Sequence, residues 1–424
     1  MRKILSMLLC LLLAASVAGA ETVLNGAEDR GIVMEKPEDD HPWVEKGFSP
    51  TTGRVLSDVA KDAPTAGFAG VAITGRYMPM LVQIDNADGG IGYNEATHEV
   101  TGTRAPWGAQ YADVIYETAL YKPGDTRLSF LFSDLIPDSV GPLRSARLFH
   151  AQLREEWDCG FIYYGEQKYP ITSVPEFFKL AGADKKAKGE NGKGNGILFS
   201  GIVGGKKWKQ YMGKYDVIKL QAPHDKNANV AAISSLIDPD FQAKDRGWLF
   251  TNVDPEWDDD GEDIYVSWGK QMYNSIIEWD DEAIDGTGVN EREGAYRRYM
   301  VDIDNAFGNE HEYKTLYVKD KLESDEILFQ NVIVQFIDLD WPRTDAPRPL
   351  VNDDLQVTAT GYYQKGNADY FQRGKHMAGV WQRDSLTDRT VFYDEDGQEL
   401  VMQRGRTLII VVDYQTGNRS VSYE

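Results

Sequence analysis

From Tyr265 to Val412 the chain is a succession of short apolar segments, each closed by turn residues, and this pattern dictates a β-rich structure. The strand-sized segments are Tyr265–Trp268, Ser275–Trp279, Tyr296–Ile303, Val332–Ile337, Leu355–Thr360, Gly374–Gln382, Thr390–Tyr393, Leu400–Gln403 and Thr407–Val412. Asp394-Glu395-Asp396-Gly397 puts Asp-Gly where a tight hairpin wants it. No repeat of fixed period runs through them.

Upstream the pattern is mixed. Met80–Ile84 is a short apolar run ending in Asp85-Asn86. Asp113–Leu120 and Arg127–Leu135 flank the turn-rich Tyr121-Lys122-Pro123-Gly124-Asp125-Thr126, which predicts a hairpin. Alternation sends Phe130 and Phe132 to one face of its second strand and Leu131 to the other. Ser145–Trp157 reads as a helix, with Ala146, Phe149, Leu153 and Trp157 on one stripe. Gly160–Tyr164 follows as a nearly continuous apolar strand, the kind found at a sheet centre. Thr172–Ala181 and Ala231–Ile237 read as further helices, and Gly182–Gly196 as a loop that no strand feeds, so it is not a dinucleotide fingerprint.

The strand–helix–strand order predicts an α/β layer on a mixed sheet. The expected class is therefore α/β (α+β): a mixed-sheet α/β module over residues 77–228, a polar break near Pro223–Asn229, and a β-rich module over 229–424. Residues 21–76, rich in Gly, Pro, Asp and Glu and without a period, read as a linker or an extended arm lying over the fold.

The first twenty residues read as a signal peptide. Arg2 and Lys3 are the charged start, Ile4–Val17 is almost wholly apolar, and Ala18-Gly19-Ala20 is a small-residue cleavage pattern. The apolar run is short against the roughly 20 residues of a spanning helix. Cleavage would remove Cys10 and leave Cys159 alone, so no internal disulfide is expected and Cys159 reads as a small buried residue. The formal net charge of -22 argues against nucleic-acid binding, which needs clustered Lys and Arg. The expectation is an exported, extracytoplasmic protein, secreted or associated with the cell envelope.

Several runs together resemble the YerB-like family of bacterial envelope proteins, a family of unknown function. They are Met80–Asn86, Ala112–Glu117, Thr126-Arg127, Val140–Arg147, Asn331–Gln335, Gly374-Lys375, Gly379-Val380-Trp381, Phe392–Gly397 and Gly405-Arg406-Thr407. The resemblance covers roughly residues 77 to 412 and implies an extracytoplasmic α/β module followed by a β-rich one. Many members look like lipoproteins. Here Leu8 and Leu9 precede Cys10, where a lipid-attachment cysteine would want small residues, so a soluble exported protein without a lipid anchor is the expectation, with peripheral membrane association left open.

One constellation carries chemistry. Gly141-Pro142-Leu143-Arg144-Ser145-Ala146-Arg147 enters the expected helix, and arginines at a helix N-terminus call for something negative opposite. If the strands ending at Asp85, Leu135 and Gly165 run parallel, their carboxyl edge gathers a polar pocket. Its candidate residues are Asp85, Asn86, Glu117, Arg127, Arg144, Ser145, Arg147 and Glu166. The functional reading is a cleft for an anionic or glycan-like envelope ligand or a protein partner; the alternative is a salt-bridge network that fixes the helix entry. A hydrolase of envelope carbohydrate using Asp85, Glu117 or Glu166, and a purely structural scaffold, are the other readings.

No cofactor or metal site is expected. The acidic run Asp254–Asp263 fails as a calcium loop because Ser267 stands where the bidentate Glu belongs, and it reads as a solvated turn. Trp248, Trp257, Trp268 and Trp279 read as core rather than as a sugar platform.

Overall fold

Strands buried at every position form the middle of the molecule, as their unbroken apolar character requires. In the computed structural model the described residues are 22–37, 41, 43–63, 67–86, 91–94, 99–102, 106–119, 126–144, 146, 148–164, 195–198, 210–211, 229–235, 243–269, 273–284, 292–300, 327–337, 339–340, 350–351, 364–384, 388–413 and 420–424. Helices α1 (Leu56–Asp62) and α2 (Val71–Thr74) belong to the arm. Strands β1 (Met80–Asp85), β2 (Val114–Ala119) and β3 (Thr126–Phe132) follow. Then come helix α3 (Leu148–Trp157), strand β4 (Gly160–Tyr164) and helix α4 (Val230–Ser234). The later main strands are β5 (Ala295–Met300), β6 (Asn331–Ile337), β7 (Gln364–Gln372), β8 (Lys375–Arg383) and β9 (Thr407–Asp413).

A twelve-stranded mixed sheet runs through the described residues. Its central order is β8-β7-β6-β9-β2-β3-β1-β4, with Asn195–Leu198 and Gln210–Tyr211 beyond β4. β2 and β3 form the expected hairpin, Val114 opposite Leu131 and Ala119 opposite Thr126. β9 lies between β6 and β2 and is parallel to both. A strand of the C-terminal region thus shares its ladder with one of the N-terminal region.

The two faces of this sheet bury different layers. Phe130 and Phe132 join Val82, Ile84, Val334 and Ile410 against a six-stranded sheet that includes β5 and contributes Ile277 and Tyr296. Leu131, Tyr116, Ile333 and Ile409 face the other way, with Leu153 and Trp157 of α3 and with Trp248, Trp381 and Phe392. The molecule is strand-rich with mixed sheets and short helices. The α/β expectation holds only in the passage from β3 through α3 to β4, because most connections among the described strands are antiparallel and need no helical crossover.

Other expectations meet the structure unevenly. The strands from Tyr265 onward fall close to their expected places, but Leu355–Thr360 lies outside the described residues, as does the helix expected over Thr172–Ala181. Trp248 and Trp268 are buried, whereas Trp257 and Trp279 are only partly so. Cys159 is fully buried and burial pushes its thiol up to about 12.

The arm is fastened by polar groups. Its Ser49 and Thr52 hydroxyls donate to Asp134 at 2.5 and 2.6 Å, and Thr51 donates to Asp113 at 3.2 Å. Asp113 also accepts from the Ser133 and Asp134 amides. Both carboxyl groups are buried, and burial with the neighbouring Asp134 charge pushes Asp113 up to about 8. Further along, Arg30 reaches Asp369 on β7 at 2.7 Å, and the other oxygen of Asp369 meets His376 at 2.8 Å.

Candidate functional site

Antiparallel pairing of β1 and β3 sets Asp85 opposite Arg127, and pairing of β2 and β3 sets Thr118 on the far side of Arg127. Cross-strand partners share a face. Asp85, Arg127 and Thr118 therefore lie on the α3 side, where Thr118 hydrogen-bonds His150 at 3.0 Å. The next residues in sequence, Asn86 and Thr126, turn to the opposite face with Glu117.

The expected single pocket is thus two polar clusters, back to back across one sheet edge. On the α3 side Asp85 holds two guanidinium groups. Its Oδ1 accepts from Arg127 Nη1 at 2.8 Å and its Oδ2 from Arg144 Nε at 2.6 Å. On the other side Glu117 Oε1 accepts from Thr126 at 2.9 Å and from Asn86 at 3.3 Å, and Asn86 also donates to Thr126 at 2.6 Å. Glu117 Oε2 accepts from Arg298 Nη2 at 2.7 Å. Arg298 comes from β5, so this buried ion pair joins the two sheets.

The premise of three parallel strand ends needs correction. β4 is parallel to β1, but β3 is antiparallel, so it is the start of β3 that reaches the Asp85 edge. Arg127 arrives there for that reason, and Leu135 lies toward the other end. The helix entry is also corrected. α3 begins at Leu148, and Arg144 stands ahead of it. Backbone pairing places Arg144: Asp85 N donates to Pro142 O at 2.8 Å and Arg144 N to Gln83 O at 3.0 Å. A short strand-like contact with the end of β1, rather than a helix terminus, presents its side chain.

Ser145, Arg147 and Glu166 lie outside the described residues. Among the candidates that are described, Asp85, Asn86 and Glu117 are buried, Arg127 is nearly so, and the Arg144 side chain is 28% exposed. Arg144 uses Nε on Asp85, and its two terminal amino groups make no bond to any described residue. Asn86 Oδ1 is a buried acceptor without a donor among the described residues.

Arg298, Thr118 and His150 were not among the expected site residues. Arg298 had a signal. It follows Tyr296 by two residues in a strand, and both are buried while Arg297 and Tyr299 are half-buried. A charged residue on the inward register of a strand calls for a partner. Thr118 and His150 had none, because only the fold brings α3 over β2. Every oxygen of Asp85 and Glu117 already accepts a hydrogen bond, and among the described residues three guanidinium groups meet these two carboxylates. Such an edge is suited to holding an anion by hydrogen bonds and charge, not to attacking one.

Layered mixed and antiparallel sheets with a charged, guanidinium-bearing edge define the class of protein at hand, a strand-rich molecule built on two large sheets. Family models described as protein of unknown function (DUF3048), N-terminal domain and C-terminal domain, match residues 97–223 and 289–409. Together they span more than half of the chain, which belongs to this YerB-like family of unknown function. The crystal structure of the YerB protein from Bacillus subtilis is similar in fold, with a TM-score of 0.54 and 17% sequence identity, covering 88% of this chain and 99% of that one. No curated protein matches the chain.

Proposed function

We propose that the protein is an exported, envelope-associated binding or accessory factor that captures an anionic, glycan-like ligand at the Arg144 edge of its large sheet. One observation carries this reading. Among the described residues Asp85 touches two guanidinium groups, and Arg144, bonded to it through Nε, keeps its terminal donors open on a partly buried side chain. In a chain of net charge -22, a local excess of positive charge with open donors is a receptor for a negative group. Export is supported by the charged start, apolar run and cleavage pattern of the first twenty residues. Peripheral attachment, through the ligand or a protein partner, fits the same reading. The hydrolase alternative is less favoured, since Asp85 and Glu117 are both buried and both engaged in ion pairs with arginines. The scaffold alternative requires the edge to bind nothing.

Arg144→Gln tests the proposal. The variant is expected to lose affinity for an anionic cell-wall glycan preparation by about tenfold or more, with a melting temperature close to wild type because the pair is partly solvated. Wild-type binding should weaken as salt rises. Equal binding by variant and wild type, measured by sedimentation with the glycan, would refute the site. Fractionation that finds the chain unprocessed in the cytoplasm would refute the location.

A further inference from the structure

At the opposite end of β1 from Asp85, the arm and α4 border an open cavity of about 230 Å³, lined among the described residues by Ala69, Gly70, Thr74, Arg76, Met78, Ile136, Ser234 and Ser235. Six residues of strand, roughly 17–20 Å, separate it from the Arg144 edge. Its floor is apolar, since Met78 and Ile136 are buried hydrophobic residues. Its polar groups make a one-sided set. The Thr74 hydroxyl donates to Gly70 O at 2.8 Å, Ser234 to Ala231 O at 2.7 Å and Ser235 to Ala232 O at 2.6 Å. Each hydroxyl proton is thereby committed to the backbone, and what each oxygen still offers is a lone pair. Arg76 supplies the positive charge. Its guanidinium has no carboxylate partner among the described residues, in a chain where 67 acidic residues face 45 basic ones.

We propose that this cavity is a second ligand site, for a carboxylate that carries an adjacent amide N–H and a small apolar side chain, the chemistry of an acylated amino acid or a short peptide's C-terminus. Arg76 takes the carboxylate through its planar fork, the hydroxyl oxygens accept from the amide N–H, and Ala69, Met78 and Ile136 receive the side chain. The volume lies below the usual range of about 300–1,000 Å³ for drug-sized ligands, which fits one or two residues. No aromatic ring is among the described lining residues, so none of them offers the stacking platform a sugar ring would use. The site is independent of the Arg144 edge.

The test is calorimetric titration of the full chain with N-acetylalanine and N-acetylalanylalanine as free acids, and with the C-terminal amide of the latter. The expected result is saturable binding of at least one acid, with the amide weaker by about tenfold or more. Binding of both acids assigns the site to a single acylated residue; binding of the longer one alone assigns it to a peptide terminus. Arg76→Gln should lose the acid by a similar factor with an unchanged melting temperature, because its guanidinium bonds to no described residue. Arg76→Lys should retain part of the affinity, and Arg144→Gln all of it. The proposal is overturned if neither acid saturates, if acid and amide bind alike, if Arg76→Gln binds as wild type, or if Arg144→Gln is the variant that loses binding. A failure at Arg144 with glycan leaves these outcomes untouched, so the two readings are separately refutable.

Discussion

Asp113 shows how a single buried carboxyl ties stability to pH. Desolvation and the Asp134 charge raise it from 3.8 to about 8 in the folded protein. Folding therefore takes up a proton between those values. The stabilisation is fully present below the ordinary aspartate range, declines as pH rises, and is gone above about pH 8. Asp113→Asn should flatten that decline; urea midpoints measured near pH 5 and near pH 9 that keep the wild-type slope would contradict it. The Glu117–Arg298 pair makes a second residue-scale case. Glu117→Ala leaves a buried guanidinium without its carboxylate and should cost about 3–5 kcal/mol, while replacing both partners with apolar residues should cost less than the sum of the single changes. Additive losses in a double-mutant cycle would show that the two side chains do not depend on each other.

At the level of elements, apolar alternation carried the β2–β3 hairpin, the two faces of Phe130 and Leu131, and eight of the later strands, but not Ser420–Tyr423 or the two-residue strands. It missed β7. Gln364–Gln372 reads as polar because Asn367 and Asp369 occupy interior positions, and the partners that offset their burial include residues far off in sequence: Glu28 O for Asn367 and Arg30 for Asp369, which also meets His376 on the next strand. A strand whose burial is balanced by distant charges has no local signature. The candidate site was legible as a set of residues but not as a geometry. Asp85 and Asn86 are neighbours in sequence and face opposite layers, and only the register with β3 decides which goes where. The dependence of β7 on the arm has a direct consequence. Arg30→Ala should leave Asp369 buried beside His376 alone and loosen the arm, seen as faster protease cleavage between Arg30 and Ser49; unchanged cleavage would mean the remaining arm contacts suffice.

On the scale of the whole molecule, the sheet does not respect the division between the two family regions. β9 contributes ladder bonds to β2 on one side and β6 on the other, and Arg406, just before it, donates to the carbonyls of Ala112 and Gln110. The regions should therefore unfold together, as one calorimetric transition with equal van't Hoff and calorimetric enthalpies; two separable transitions would contradict the shared ladder. The late arrival of β9 also bears on how the chain is made. Because β9 follows both β2 and β6 in chain order and belongs between them, a nascent chain that has made β2 and β6 but not yet β9 carries two exposed ladder edges at the heart of its largest sheet. Quality control of this protein is thus written into its topology: a polypeptide stopped anywhere between β6 and β9 holds both flanking strands and still cannot close.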